Sequence, residues 1–207
     1  CVGRLLEFLD ERGLAEDTLV IFASDNGPVL DDGYRDGANE QLGEHDPNGP
    51  WRAGKYSAFE GATRTPFPVR WPARVEGGRT SDALFGQVDL ARTLAALAGA
   101  DVPDGACPDS RDELDTLLGE DPVGRPHLVN EARALSLRQG RWRYGPPGRT
   151  RDHLGPWDAV AGEPPGALFD LASDPAETRD LSAERPEELA ELQALLERIR
   201  QEPDPDG

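Results

Sequence analysis

Asp25 and Asn26, two oxygen-bearing side chains in succession, and Lys55, the single lysine of the chain, are the residues whose types and spacing could do chemistry. A carboxylate next to a carboxamide offers the hard oxygen donors that calcium or magnesium prefers. An ammonium is a compact charge with three donors, matched to the oxygens of sulfate or phosphate. Of 22 basic residues the other 21 are arginine, so Lys55 stands out against the chain's default cation. A hard cation beside an ammonium would make a site for a tetrahedral oxyanion. The same Asp-Asn-Gly run is also a common turn sequence, and a lone lysine can survive by chance. His45, in a long loop between the two stretches, is a candidate substrate contact or an ordinary exposed histidine.

The elements that would position these groups follow from periodicity. Leu19 to Phe22 is an apolar, β-branched run that reads as a strand buried on both faces. Gly27 and Pro28 stop it, which puts Asp25 and Asn26 at its carboxyl end, where open α/β sheets bind ligands. Val2, Leu5, Leu6 and Leu9 form the apolar face of a preceding helix that Gly13 ends. Helix followed by buried strand is the unit of a parallel layered α/β fold. Residues 29–50 show no period and carry Asp31, Asp32, Tyr34, Asp36 and His45, as a rim to a pocket would. Gly54 and Gly61 bracket Lys55 and let the backbone approach a ligand closely. Pro66 to Pro72 reads as a short edge strand. Ser81 to Ala100 is a second helical region, with Val88, Leu90, Leu94 and Leu97 expected in the core.

A Pro/Gly/Asp-rich connector, residues 101–126, suggests a boundary near residue 120. It gives an α/β portion over 1–120 and a small α+β subdomain over 121–207. In the second part, residues 127–131, 134–139, 141–144 and 167–171 read as short antiparallel strands, with Gln139-Gly140 as a hairpin turn. Residues 144–165 read as a loop. A helix from Pro186 buries Leu189, Leu192, Leu196 and Ile199, and a frayed tail follows from Glu202.

The net charge of −18 argues against nucleic acid as a partner, because phosphate backbones need a basic face. No apolar run approaches the roughly 18 residues of a membrane span. Two cysteines, Cys1 and Cys107, make no disulfide framework. A chain without methionine that opens at Cys1 is expected to be part of a longer protein.

Three stretches, in this order and spacing, resemble the C-terminal half of a sulfatase. They are Ser24-Asp25-Asn26-Gly27, the segment from Gly54 to Pro66, and Leu168-Phe169-Asp170-Leu171-Ala172-Ser173-Asp174-Pro175-Ala176-Glu177. The resemblance covers nearly the whole chain. It implies the C-terminal portion of an alkaline-phosphatase-like layered α/β core, followed by a small antiparallel-sheet-plus-helix subdomain. It implies hydrolysis of a small-molecule or saccharide sulfate ester at one calcium, with magnesium as the alternative. By the same resemblance Asp25 and Asn26 are metal ligands, Lys55 touches the sulfate, and Arg64 supports it. A formylglycine nucleophile and further metal ligands belong to the family's N-terminal half and are not in this sequence. Cys107-Pro108-Asp109-Ser110-Arg111 has the cysteine and arginine of the modification motif, but its proline is one place early. It is read as coincidence. Family members are often exported, which implies a periplasmic or secreted parent. Two other readings stand beside this one. A phosphoester hydrolase of the same superfamily would want more Asp and His ligands than His45, His127 and His153 suggest. A non-catalytic remnant would serve as an interaction module.

Overall fold

The computed structural model describes residues 1–29, 33–132, 135–145, 147–149, 160–161 and 166–201. Asp31, Asp32, Ala134, His153, most of the expected loop 144–165 and the tail 202–207 lie outside the described residues. In chain order the helices are α1 (Val2–Glu11), α2 (Ala38–Leu42), α3 (Glu60–Thr63), α4 (Leu90–Leu97), α5 (Leu114–Leu118) and α6 (Pro186–Gln201). The strands are β1 (Val20–Ile21), β2 (Val69–Arg70), β3 (Leu128–Glu131), β4 (Leu135–Gln139), β5 (Trp142–Gly145), β6 (Gly148–Arg149), β7 (Val160–Ala161) and β8 (Ala167–Asp170). The class is mixed α/β with antiparallel sheets: β1-β2, β3-β4-β5-β8 and β6-β7. The described residues gather into two compact units, those of 1–23 with 66–125, and those of 24–65 with 126–201. Every candidate site residue belongs to the second.

In the first unit α1 ends at Arg12, and Gly13 takes the left-handed conformation at φ +65. The Leu14 N–H then closes on the Leu9 carbonyl at 2.9 Å, the glycine stop the spacing predicts. β1 differs from expectation. It is two residues long, half-buried, and pairs antiparallel with β2, Val20 opposite Arg70. Phe22 is 48% exposed. Val20 and Ile21 are half-buried rather than buried on both faces.

The α4 region also departs from the expected leucine core. Val88 and Leu94 are exposed, while Asp89 and Thr93 are fully buried. The reason is a polar knot. The Asp89 carboxylate accepts from the Gly86 N–H at 3.0 Å, the Arg111 N–H at 2.9 Å and the Arg125 guanidinium at 2.5 Å. The Thr93 hydroxyl accepts from the Glu113 N–H at 3.0 Å. A buried carboxylate is tolerable only when paired and hydrogen-bonded, and this one is. The apolar patch in the connector folds as α5, with Leu117 and Leu118 buried.

The second unit is built on the four-stranded sheet, whose strands sit where the alternation places them. Gly140, at φ +55, turns β4 into β5. One face carries Leu137, Tyr144 and Leu168, packed on Leu189, Leu192 and Leu196 of α6. Period-two alternation sends Phe169, and Arg143 paired opposite it, to the other face. There Phe169, Ala167 and Leu171 form a small core with Ala53 and Phe59. The Phe59 and Phe169 rings meet edge-on at 6.0 Å. The sheet is thus a platform under the chain segment that bears Lys55.

Candidate functional site

Asp25 and Asn26 precede a stretch that the Lys55 segment holds by backbone bonds. The Gly27 N–H donates to the Ala62 carbonyl at 2.8 Å, and the Lys55 N–H donates to the Pro28 carbonyl at 2.9 Å. The approach is close enough that a Cβ on Gly27 would stand 1.8 Å from the Gly61 carbonyl oxygen. Only glycine fits there, which ties the turn in Asp25-Asn26-Gly27 to the segment through Gly61. The structure therefore brings the Asp25-Asn26 stretch and the Lys55 segment side by side through their backbones.

The segment itself is a loop closed on itself. The Gly61 N–H returns to the Arg52 carbonyl at 3.0 Å. Ala53, at φ +58, and Tyr56, at φ +72, flank Lys55 in the left-handed region. Such conformations in non-glycine residues cost about 1–3 kcal/mol each and persist only when their surroundings hold them. Lys55 is half-buried, with its ammonium 5.2 Å from the Tyr56 ring centroid.

Three buried ionisable groups, Glu60 at the end of the loop and Arg143 and Glu177 beneath it, do the holding. Arg143 Nη1 donates to Glu60 Oε1 at 2.8 Å, and its Nη2 to the Ala58 carbonyl and to Ser136 Oγ. Its Nε lies 3.1 Å from Glu177 Oε1, an ion pair without the alignment of a hydrogen bond. Glu177 Oε2 accepts the Glu60 N–H at 2.7 Å, and Arg138 reaches Glu60 at 2.9 Å. Glu60, Arg143 and Glu177 are each no more than 1% exposed. Burial pushes the Glu177 carboxyl up to about 7, against the opposing pull of Arg143, the Glu60 N–H and Arg52; the nearby Glu60 carboxylate adds to the rise.

The other candidates lie differently. His45 is exposed, and its N–H donates to the Leu42 carbonyl at 3.1 Å just after α2, a helix that the sequence reading took as loop. Arg64 stacks on the Trp51 ring at 4.2 Å and lies 3.5 Å from Glu60, so its charge is already engaged. Cys107 is an exposed free thiol at φ +53, in a turn whose carbonyl accepts from Arg92 at 3.4 Å and from the Ser110 N–H at 3.0 Å.

The implied divalent cation fits the donors as part of a shell. The Asp25 carboxylate is exposed and makes no ion pair or hydrogen bond among the described residues. Asn26 uses its Nδ2 on the Gly27 carbonyl at 2.9 Å, which leaves Oδ1 as the atom to ligate. Among the described residues no three His, Cys, Asp or Glu side chains come together as a metal-holding group. Calcium takes about six to eight oxygens, so this pair supplies a minority of them.

Sequence reasoning missed Glu60, Arg143 and Glu177. Residues 141–144 read as a short strand, with no role for Arg143 in that reading. The one signal available was the acidic stretch that ends in Glu177.

Comparison with known proteins bears on the whole chain. The family model described as Sulfatase matches residues 1–100. An N-acetylgalactosamine-6-O-sulfatase of Bacteroides thetaiotaomicron is 41% identical over 208 residues, covering 96% of this chain and 39% of its own length. The steryl-sulfatase of Mus musculus is 35% identical over 205 residues, covering 88% of this chain and 32% of its own. A solved structure tied to the metabolism of multiple glycosaminoglycans by Bacteroides thetaiotaomicron superposes with a TM-score of 0.87 at 40% identity. It covers 97% of this chain and 42% of its own. The chain thus spans about two fifths or less of the relatives it matches, over their C-terminal part.

Proposed function

The chain belongs to the sulfatase family, and on that premise we propose that it is the C-terminal portion of a calcium-dependent enzyme that hydrolyses a saccharide sulfate ester. The observation that carries this reading is the backbone union of the Asp25–Pro28 stretch with the Lys55 loop, in a chain 41% identical to a sugar sulfatase.

In this reading Asp25 and the Asn26 carboxamide oxygen hold the cation from one side. A cation held there would supply Lewis-acid stabilisation of negative charge on the sulfate oxygens. Lys55 meets a non-bridging or leaving oxygen of the ester and stabilises the charge that builds there. Its half-burial strengthens that interaction relative to water. Arg64, tied to Trp51 and Glu60, shapes the cationic side of the site. His45 contacts polar groups of the sugar from the loop after α2. The remaining ligands and the formylglycine nucleophile come from the part of the parent outside this sequence. By the same family resemblance the parent is exported; among the described residues no helix is long and apolar enough to cross a membrane.

The test is product analysis on the full-length parent with paired 6-O-sulfate and 6-O-phosphate esters of N-acetylgalactosamine, with calcium and with chelator. Calcium-dependent sulfate release is expected. Preferential phosphate release would favour the phosphoester hydrolase, and no turnover of either ester would favour the non-catalytic module.

A further inference from the structure

Glu177 touches both ends of the loop that carries Lys55. Its carboxylate accepts the Glu60 N–H at 2.7 Å, and its main-chain carbonyl accepts Arg52 Nη1 at 2.8 Å. Glu177 makes both contacts from an uncommon backbone, at φ +53 in the left-handed region that few non-glycine residues adopt. Arg143, 3.1 Å away, grips the Ala58 carbonyl and the Glu60 carboxylate from below. Arg52 also lies over the Phe59 ring at 4.1 Å.

We propose that Glu177, acting with Arg143 and Arg52, is a positioning residue that closes the Arg52–Glu60 loop and so fixes where the Lys55 ammonium stands. The proposal deepens the reading above and rests on it. The small core of Ala53, Phe59 and Phe169 already holds the loop on the sheet. A well-packed apolar trio in place of the buried ions would hold it at least as firmly, because desolvating charges is costly. What the charged trio adds is direction. Glu177 takes the Glu60 N–H and the Arg52 side chain, Arg143 takes the Ala58 carbonyl, and between Arg52 and Ala58 lie the two left-handed residues that flank Lys55. A small misplacement of a group that stabilises charge in the reaction lowers turnover more than it lowers binding.

The experiment uses the full-length parent and an N-acetylgalactosamine 6-sulfate ester. Glu177→Ala is made alone and in a Lys55→Ala background, with kcat, KM and the thermal midpoint read for each. A tenfold or larger fall in kcat is expected from E177A, with KM changed less than threefold. In the K55A background the same change should cost less than twofold, since there is no ammonium left to place. Should E177A fail to fold, Arg52→Met carries the same comparison: it breaks the bond to the Glu177 carbonyl and keeps an apolar stem on Phe59. Equal losses with and without Lys55 would mark Glu177 as structural only and overturn the proposal, as would a kcat within twofold of the unmodified enzyme. A parent that cleaves no sulfate ester, or that is indifferent to K55A, overturns the reading of the site itself, and the role of Glu177 with it.

Discussion

Lysine and arginine differ in shape, and at position 55 the shape is expected to matter. A compact ammonium reaches a single sulfate oxygen, whereas a planar guanidinium needs room for its fork. In the parent enzyme Lys55→Ala is expected to lower kcat/KM by about 10²–10³-fold, the usual cost of losing one group that stabilises developing charge. Lys55→Arg should recover less than a tenth of that loss; full recovery in steady-state assays would show that charge alone suffices. Glu177 makes a second prediction, in pH. A glutamate titrates near 4.5 when unfolded and at about 7 here. Between those values the folded chain holds a proton that the unfolded chain releases, so stability is greatest on the acid side and declines as pH rises through 7. Urea melts of residues 1–207 should lose stability from pH 5 to pH 8, by ~3 kcal/mol at most, and Glu177→Gln should flatten that slope. The window avoids Asp170, whose carboxyl the Arg141 hydrogen bond holds down at about 2. Its contribution runs the other way, present above the usual aspartate range and lost as pH falls toward 2.

At the level of elements, the site depends on how closely two backbones approach. Gly27 faces Gly61, and Gly61 faces the Arg52 and Ala53 carbonyls at 2.3 and 2.2 Å from where a Cβ would stand. These neighbours are main chain and cannot swing aside. Gly27→Ala should therefore destabilise the folded chain by about 3 kcal/mol, the upper range for forcing atoms into a packed site. If the proposed calcium site is present in the parent, it should also weaken calcium binding there, which calorimetry would read alongside the melt. An unchanged melting midpoint would show that the two backbones do not meet. The sheet beneath shows why arginine belongs in β5. With α6 on one face and the Lys55 loop on the other, Arg143 is shut off from water and finds its partners in Glu60, Ala58 and Ser136.

At the scale of the molecule, the chain spans 39% of the length of its 41%-identical relative and supplies two oxygen-bearing ligand side chains to the proposed metal. Purified residues 1–207 are expected to release no sulfate from an N-acetylgalactosamine 6-sulfate ester. They should bind calcium no tighter than the weak ~10⁻³ M range of sparsely ligated sites. Turnover by this piece, read by ion chromatography, would return Cys107 to candidacy as a nucleophile. Val2, Leu5 and Phe8 on α1 are each more than 40% exposed, and Phe22 beyond β1 is 48% exposed. A polarity-sensitive dye should accordingly bind residues 1–207 more strongly than it binds the parent.

Periodicity alone located α1, α6 and the strands of the four-stranded sheet; α6 and the sheet bury one face against each other, which leaves a repeat of 3.6 or 2 in the residues, while α1 keeps its 3.6 repeat with Leu9 as its one buried residue. Residue type made Asp25, Asn26 and Lys55 candidates, because oxygen donors suit a hard cation and an ammonium suits an oxyanion, and the resemblance of their stretches to a sulfatase gave them roles. Tertiary structure decided the rest. β1 pairs antiparallel and stays half-covered, the turn into α4 and α4 itself bury Asp89 and Thr93 rather than the leucines, and Arg143 lies buried under the site. In each case the outcome turns on which partner arrives from a distant part of the chain. Glu60 and Glu177 are 117 residues apart, and nothing local to either records that a buried guanidinium will stand between them.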